Sequence, residues 1–497
     1  MSTTLYLVIA GAVATVWLGW TLLKSPPKLH IAHVQFEGDN SMARYISETK
    51  TLMDQGQAQH LKKGRPFTIR NPSDEKHPLV ILPLKYLSEV KSAPQSKLSF
   101  PTFLDKSNLL TVVGGPTMNF EVTRMVRLRV NRALKDLVEP LQDECLYAWN
   151  KVVPACADWT PITLFPILNQ LFARIAARVM VGPELCRDDE WLNLALSYTE
   201  ASIKAIRGVR AKYPPSLRFL AQYLDSNARE VLRIRRRAAQ MLGPYLEARR
   251  SGRDRSNSDD ALQWLLDTYE SRKKALSADQ LAQDEFILNV ASITSSAAVA
   301  LSIIYDLIDH PDSLQEIKEE ISRVFGEYQT WTRASLNSLL LLDSFMKESL
   351  RLHTLQQLTV QRAALVPWTF KDGFQLPAGT NISFASQQLN LDEDVYPDAQ
   401  TFDAKRFLRK RENIDPNKFH FASVSDDSII FGAGFHACPG RFLAQDVLKL
   451  MLIQLLKRYD FKLSGASQSR PRDIAYNFSV MPNIGTQLLM KEKPTQR

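Results

Sequence analysis

Apolar and polar positions follow three patterns along the 497-residue chain. The first is an uncharged apolar run over residues 5–23, followed by mixed, strand-like segments. Over residues 119–352 the apolar positions recur at the three-to-four spacing of amphipathic helices. Short alternating runs with Gly turns then cover residues 358–385. The pattern predicts a mostly α protein with a minor β part (α+β), built as one large domain over residues 29–497.

The apolar run at residues 5–23 would span about 28 Å as a helix, close to the hydrocarbon thickness of a bilayer. Lys24 and Lys28 follow the run and nothing basic precedes it, so the positive-inside rule leaves the rest of the chain on the cytosolic side. A Pro-Pro pair then stops the helix and acts as a hinge. We expect residues 1–28 to form a single-pass membrane anchor. A cleaved signal peptide is the alternative.

A second long stretch begins at Ser277 and ends at the His310-Pro311 pair. Ser277 and Gln280 have the spacing of a capping box and Pro311 stops a helix, so the pattern predicts one helix roughly 45 Å long. Its middle, residues 290–300, is small and weakly polar, which lets a flat ligand approach the helix closely. The Ser295 hydroxyl could serve such a ligand or bond to the carbonyl one turn earlier.

Charge and cysteine content narrow the class of protein. The four cysteines show neither zinc spacing nor a C-x-x-C motif, so most are expected as reduced core thiols in a cytosol-facing protein. The net charge of +9 comes largely from arginine clusters at residues 229–237 and 249–255. Because no nucleic-acid motif accompanies them, we expect no nucleic-acid partner. These clusters predict a solvated face, or contact with anionic membrane lipid or an acidic partner protein.

One cysteine lies in a stretch with chemistry of its own, FGAGFHACPG at residues 431–440. Gly432 and Gly434 allow backbone turns that a Cβ would block. Pro439 suits the first position of a helix, so Cys438 is expected at a helix N-terminus, where free N–H groups and the dipole favour an anion. The loop predicts a thiolate that faces a metal cofactor. A buried cysteine in a glycine turn is the alternative.

A carboxylate and a guanidinium share one face of the helical run before residue 352. Glu348 and Arg351 are three positions apart, a spacing that by itself is usually a surface ion pair. Between them and the cysteine loop lies FDAKRF at residues 402–407, which contributes Arg406. The order of these three elements is more specific than any one of them.

Together, the three elements resemble the cytochrome P-450 family. Residues 431–440 fit its haem-thiolate pattern F-G-x-G-x-(R/H)-x-C-x-G at every fixed position. The other two match its E-x-x-R and F-x-P-x-R-F elements, with Ala404 in place of the usual proline. The resemblance implies a cytochrome P-450 fold whose long central helix lies over haem b. It also implies that Cys438 is the axial ligand of the iron and that Glu348, Arg351 and Arg406 form a structural triad.

The resemblance extends to the rest of the cofactor site. The residues it implies around the haem are Phe431, Gly432, His436, Arg362 and Arg127. His436 and the two arginines are candidates to neutralise the propionates. Arg127 departs from the family pattern, because Thr123 stands where a tryptophan is common.

The oxygen-activating segment departs most from the family. Where most members carry an acid followed by threonine in the long helix, this chain has Thr294 and then Ser295. A serine hydroxyl can still hold a water and relay protons, but no carboxylate lies next to it. The resemblance assigns catalytic roles to Ser295 and Thr294, with proton delivery that is slower or depends on water.

The implied activity is that of a haem-thiolate monooxygenase acting on a lipophilic small molecule with O2. Because the chain has no P-loop, Rossmann fingerprint or ferredoxin cysteine spacing, electrons are expected from NADPH through a separate cytochrome P-450 reductase, with cytochrome b5 as an additional donor. With the anchor, this predicts the endoplasmic reticulum membrane, with the catalytic domain on the cytosolic side. Two alternatives stay open: a haem-thiolate isomerase or dehydratase that needs no reductase, and a non-catalytic haem sensor.

The substrate-facing segments of the family map onto apolar stretches with a few amides and hydroxyls. They are residues 109–113, 203–220, the middle of the long helix, 356–359 and 478–482. The chain also resembles filamentous-fungal members that tailor secondary metabolites. We therefore expect a terpenoid, meroterpenoid or steroid-like substrate.

Overall fold

The computed structural model describes residues 29–74, 77–252 and 259–494. The predicted anchor at residues 1–28 lies outside these described residues. The α-helices are Met42–Ser47, Thr49–Gln59, Leu87–Ser92, Phe100–Asn108, Leu110–Val113, Phe120–Met125, Asn131–Val152, Leu164–Met180, Gly182–Leu185, Asp189–Lys212, Ala221–Leu224, Ser226–Arg250, Ala261–Ser271, Ala278–Asp309, Pro311–Tyr328, Arg333–Asn337, Leu340–Leu352, Ser386–Asn390, Arg406–Asn413 and Arg441–Arg458. A π-helical turn, Val126–Val130, and 3-10 turns at Leu61–Lys63, Leu84–Tyr86, Pro215–Leu220 and Gly434–His436 complete the helical part.

The strands are short and form two main sheets and two small hairpins. They are β1 (Ala32–His33), β2 (Phe67–Ile69), β3 (Leu79–Ile81), β4 (Leu98–Ser99), β5 (Thr160–Thr163), β6 (Leu358–Ala364), β7 (Trp368–Thr369), β8 (Gln375–Leu376), β9 (Asn381–Ala385), β10 (Tyr459–Leu463), β11 (Ile474–Tyr476), β12 (Ser479–Met481) and β13 (Gln487–Glu492). The larger sheet has the order β1-β2-β3-β9-β6-β4, and a smaller sheet has the order β10-β13-β5. The predicted mostly α architecture with a minor β part is confirmed.

The long helix Ala278–Asp309, called the central helix below, crosses the largest hydrophobic cluster. Ser277 caps it by accepting a hydrogen bond from the N–H of Gln280 at 3.1 Å. The predicted capping box is only half formed, because the Gln280 side chain donates to Asp284 at 2.8 Å instead. The helix ends at His310, and Pro311 opens the next helix.

The central helix is, among the described residues, the one helix long and apolar enough to cross a membrane, but it is a core helix here, since 61% of its most apolar window is buried. The arginine cluster at residues 229–237 lies on the helix Ser226–Arg250, where Arg235 pairs with Asp279 at 3.1 Å and Arg237 with Glu190 at 2.6 Å. These exposed pairs are typical of a solvated face.

Candidate active site

The cysteine loop owes its shape to two glycines with positive φ. Gly432 has φ +77° and Gly434 has φ +61°, conformations that side chains with a Cβ rarely adopt. A Cβ at position 434 would collide with the carbonyl oxygen of Lys91, and one at position 432 would lie 3.0 Å from the carbonyl oxygen of His436. The N–H of Cys438 donates to the carbonyl of Phe431 at 2.7 Å and closes the loop.

The helix after the loop begins later than the sequence suggests. It starts at Arg441 with Gly440 as its N-cap, so Pro439 precedes the helix rather than occupying its first position. The Arg441 guanidinium turns back and donates to the carbonyl of Cys438 at 2.6 Å. The thiol thus still lies just ahead of a helix N-terminus.

The environment of the Cys438 thiol combines two opposing influences. Burial raises the pKa of this thiol, while the N–H groups of Gly440 and Arg441 and the charge of Arg441 lower it. Burial is the larger influence, so the protein alone favours the neutral thiol. The thiolate that is expected to face a metal cofactor stays a prediction. A coordinated metal would remove the proton.

Three of the predicted propionate partners come together beside the loop. Arg362 and Arg127 both act on His436, whose pKa falls to about 4, first because of burial and then because of these two charges. His436 is therefore neutral at physiological pH, and the positive charge belongs to the two arginines. The contact between His436 and a propionate stays a prediction.

Arg362 is a buried cation that lacks a partner of opposite charge. It is 2% exposed, and one terminal N–H donates to the carbonyl of Gln361 at 2.7 Å, while its Nη2 has no hydrogen-bond partner. Burial lowers the pKa of this guanidinium to about 10. Its strand, β6, has an irregular register between Thr359 and Arg362, and Val360 there has φ +51°. Such bulges re-aim the side chains that follow them.

Arg127 and Arg441 share this lack of a counter-charge. The Arg127 guanidinium donates to the carbonyl of Phe435 and lies 4.3 Å from the Phe435 ring centre. Burial, and then Arg441, lower the pKa of Arg127. Within the part of the chain that the structure describes, neither Arg127, Arg362 nor Arg441 forms an ion pair with a carboxylate.

This arrangement fits the cofactor that the motif implies. An unpaired buried guanidinium and a second arginine can each hold a carboxylate such as a propionate. A single cysteine sulfur is a suitable axial ligand for haem iron. The described residues contain no group of three or more His, Cys, Asp or Glu side chains that could hold a bare metal ion. The donor set is that of a porphyrin site.

The central helix presents one small, accessible patch. Ala291 and Ser295, one turn apart, are exposed, although the helix around them is largely buried. The Ser295 hydroxyl donates to the carbonyl of Ala291 at 2.7 Å, which is the back-bonding that the sequence left open. Thr294 is partly exposed beside it, and residues 286–305 contain no acid.

The three residues of the predicted triad lie together in the core. Glu348 accepts two hydrogen bonds from Arg351, at 2.7 and 2.8 Å, and one from Arg406 Nε at 3.0 Å. Arg351 also donates to the carbonyls of Asn390 and Ala399 at 2.6 and 2.7 Å. Arg351 and Arg406 share the single Glu348 carboxylate, and the network joins the helix Leu340–Leu352 to the segment before the cysteine loop.

Sequence reasoning missed Arg441 and Phe100. Phe100 lies 5.9 Å from the Arg362 guanidinium carbon and 5.8 Å from the His436 ring, so it covers both groups. No local pattern marks Phe100. Arg441 carries a signal, because a cation at the first position of a helix opposes the dipole and costs free energy unless it has another use.

Comparison with known proteins decides the family. The family model for cytochrome P450 matches residues 117–490. This chain belongs to the cytochrome P-450 family. It is 39% identical over 471 residues to the cytochrome P-450 monooxygenase cheE of Chaetomium globosum, covering 93% of this chain and 91% of that protein. It is 37% identical over 441 residues to the pyrichalasin C-7 hydroxylase of Pyricularia grisea, covering 87% and 86% of the two chains.

A solved structure shares the architecture. The retinoic acid-bound cyanobacterial CYP120A1 superposes with a TM-score of 0.67 at 16% identity, covering 90% of this chain and 95% of that one. The fold is therefore that of a cytochrome P-450, and the chain is a monooxygenase of the type found in fungal secondary metabolism. As a cytochrome P-450 it uses haem, O2, a redox partner and a small-molecule substrate.

Proposed function

We propose that this enzyme inserts one oxygen atom from O2 into a lipophilic fungal natural product at haem b held by Cys438. Arg362 and Arg127 would bind the propionates, with His436 as a neutral hydrogen-bonding neighbour, while Phe431 and Gly432 shape the thiol loop. Haem with a thiolate ligand supplies the electron density that favours O–O cleavage. Binding of the propionates, positioning of the substrate and transfer of protons fall to the side chains of the protein.

The observation that carries the proposal is the unpaired charge beside the thiol. A buried guanidinium without a counter-ion costs several kcal/mol on the order expected for a desolvated charge. Arg362 bears this free-energy cost, because within the described residues its guanidinium forms no ion pair with an acid and donates only to the carbonyl of Gln361. A ligand with carboxylates would remove this cost. The two arginines lie close to the Cys438 loop, because the charges of Arg362 and Arg127 both lower the pKa of His436 in that loop.

The reduced, carbon monoxide-bound spectrum tests the proposal directly. We expect a Soret band at ~450 nm for the purified full chain, the sign of a proximal thiolate. Cys438→Ala should abolish it. Cys156→Ala is the matched control, because that thiol is also buried and its Sγ donates to the carbonyl of Pro154, outside the cysteine loop. An unchanged band in the Cys438 variant would overturn the assignment.

The electron source distinguishes the monooxygenase from the two alternatives. We propose NADPH through a cytochrome P-450 reductase in the endoplasmic reticulum membrane, with cytochrome b5 as an additional donor. Reconstitution with this reductase should make product formation depend on NADPH and O2. Turnover without either reagent would instead identify an isomerase or dehydratase. Tight ligand binding without turnover under any electron supply would identify a sensor. Fractionation of cells that express the full chain and a variant lacking residues 1–28 tests the membrane location.

Ser295 and Thr294 are proposed to handle protons in the active site. Since the Ser295 proton is directed to the Ala291 carbonyl, the oxygen offers lone pairs that can hold a water. Ser295→Ala should lower the product formed per NADPH consumed and raise hydrogen peroxide release. Ser292→Ala is the control, because its hydroxyl makes a similar bond to the carbonyl of Asn289 at 3.4 Å. Equal coupling in both variants would remove Ser295 from the reaction.

The substrate is proposed to be a terpenoid, meroterpenoid or steroid-like natural product. One relative is named for hydroxylating pyrichalasin at C-7, so large fungal metabolites belong in the same screen. Difference spectra against such a panel should give a spin-state shift with the true substrate and none with small polar compounds. A shift confined to small polar compounds would contradict the proposed class.

A further inference from the structure

A cavity of about 560 Å³, lined by both charged and apolar side chains, lies apart from the cysteine loop. Its lining combines the last turn of the central helix, the end of the helix Leu340–Leu352, and the segment that carries the hairpin β11–β12. The turn between β11 and β12 contacts residues 356–357, because the N–H of Gln357 donates to the carbonyl of Phe478 at 2.8 Å. The cavity is therefore behind two segments that are expected to face the substrate, 356–359 and 478–482.

Four charged or ionisable side chains form a closed ring at this cavity. Arg470 donates to Asp306 at 2.6 Å and to Asp473 at 2.9 Å. His353 Nδ1 lies 2.7 Å from Asp473, and its Nε2 lies 3.4 Å from Asp306. We call Asp306, His353, Arg470 and Asp473 the charged ring. It links the central helix and the Glu348 helix to the residue just before β11.

The hairpin depends on such outside anchors. Each of its strands has three residues, and two-stranded hairpins of this size are marginally stable on their own. Ile474 and Tyr476 on β11 are more than half exposed, so the outer strand gains little from burial. The turn residue Asn477 has φ +56°. The position of the hairpin is thus set by contacts outside its two strands: the charged ring before β11, the bond from the N–H of Asn477 to the carbonyl of Ile46 at 2.7 Å, and the bond from the N–H of Val480 to the carbonyl of Leu355 at 2.9 Å.

The chemistry of the charged ring is unusual for a purely stabilising contact. Asp306 is 0% exposed, yet its Oδ2 has no hydrogen-bond partner, and neither has Nη2 of Arg470. Both residues line the cavity, which has room for ordered water. Apolar side chains would stabilise such a junction as well or better. An arginine that donates from two different nitrogens to two carboxylates instead fixes the relative geometry of the segments that carry them.

We propose that the charged ring holds hairpin β11–β12 in one position and so sets the affinity of the active site for bulky ligands. Its members are positioning residues, since none of them belongs to the cysteine loop or the arginine cluster. The proposal rests on the proposed function of that site. When the ring is intact, the wall formed by residues 478–482 is preorganised. When the ring is broken, only a fraction of the molecules have residues 478–482 in the binding-competent position. The apparent Kd for a bulky ligand then equals the intrinsic Kd divided by that fraction.

Asp473→Asn tests the proposal, because Asp473 joins two members of the ring and its side chain is 19% exposed, so folding should survive. The probes are imidazole, which is small, and clotrimazole, an imidazole that carries a bulky triphenylmethyl group. Both coordinate haem iron and shift the Soret band. We expect the Kd of clotrimazole to rise about fivefold or more and that of imidazole to stay within about twofold. Equal changes for both probes, or none, would overturn the proposal.

Asp158→Asn is the matched control, because Asp158 pairs with Lys491 at 3.0 Å in an exposed position on another sheet. It should leave both constants unchanged. Amide hydrogen exchange of residues 474–481 gives a readout that needs no ligand. It should accelerate in the Asp473 variant and not in the control, and unchanged exchange would contradict the proposal.

A second variant separates positioning from folding. Arg470→Lys keeps the positive charge beside Asp306 but loses the second hydrogen bond, to Asp473. It should therefore loosen the hairpin while the haem content stays normal. Loss of haem in both ring variants would assign the ring to core stability and overturn the proposal. A wild-type protein without the carbon monoxide band would refute the proposed haem function alone. The exchange experiment would still decide whether the ring positions the hairpin.

Discussion

Two buried arginines in this protein are almost equally hidden, yet their surroundings differ completely. Arg351 is 1% exposed and Arg362 is 2% exposed. Arg351 uses its whole guanidinium, in a bidentate pair with Glu348 and in bonds to two carbonyls. Arg362 has one carbonyl partner and a terminal nitrogen without any. The first belongs to the architecture, and the second fits the proposed role in binding a propionate.

The difference gives a general way to interpret buried charge. A buried cation that is paired with a carboxylate belongs to the fold, because each partner offsets the desolvation cost of the other and neither has charge left for a ligand. An unpaired one carries information about a ligand, since its cost is offset only when the ligand binds. The same distinction separates Glu348, which accepts from two arginines, from the cluster of Arg127, Arg362 and Arg441.

The largest expected effect comes from breaking the paired network. Glu348→Ala leaves Arg351 and Arg406 buried without their counter-charge, which should cost about 3–5 kcal/mol. The variant should give little soluble protein and almost no haem-loaded protein, as measured by yield and by the Soret absorbance per mole of chain. Glu320→Ala is the control, because Glu320 only accepts from the N–H groups of Leu341 and Leu342. A Glu348 variant with normal haem content would refute the structural role.

Arg362→Met and Arg351→Met form the direct comparison. Loss of Arg362 should leave the haem-free protein as stable as before, or more stable, because an uncompensated charge disappears. It should also weaken haem retention by about 10- to 100-fold, the equivalent of one charged hydrogen-bonded contact. Transfer of haem to apomyoglobin measures this change. Arg351→Met should instead lower the thermal midpoint of the haem-free protein. If both variants behaved alike, the distinction between paired and unpaired arginines would fail.

A smaller effect is expected at Asp446, where pairing is incomplete. Asp446 is 0% exposed on the helix Arg441–Arg458, and its closest cation is Arg333 at 3.6 Å. Burial raises its pKa to about 6, in spite of Arg333 and Lys449. Above pH 6 the folded state must hold a carboxylate that it disfavours, and as the pH falls from about 6 towards 4 protonation relieves this cost.

Asp446→Asn should therefore stabilise the protein by about 1–2 kcal/mol at pH 7.5, and this gain should fall by about half near pH 5 and approach zero near pH 4. Thermal midpoints measured at both pH values check the sign. A gain that is independent of pH would contradict a raised pKa. Asp415→Asn, at a partly exposed position, provides a comparison with a carboxylate whose pKa is lowered by hydrogen bonds, and there the substitution should not stabilise the protein.

Local signals in the sequence sufficed for the elements that short motifs encode. The helix Leu340–Leu352, the ends of the central helix and the turns of the cysteine loop follow from spacing, proline and glycine alone. The start of the last helix did not, because Gly440 rather than Pro439 takes the N-cap. The neutral state of His436 also escaped prediction, since it results from burial and from arginines far away in the chain.

Long-range contacts account for what the sequence could not reveal. Phe100 reaches Arg362 and His436 from a distant part of the chain, and Asp306 meets Arg470 across a separation of 164 residues. Neither pair leaves a periodic trace. Arg362 itself was found through resemblance to a family, but its lack of a counter-charge is visible only in three dimensions.

The contact between Gly434 and the carbonyl of Lys91 has a practical consequence for protein engineering. The conformation of the cysteine loop, residues 431–440, depends partly on its contact with Lys91, which lies far away in the sequence. Grafting that decapeptide onto a foreign scaffold would therefore transfer the sulfur but not its placement. A useful transplant would have to carry the helix Leu87–Ser92 along with it.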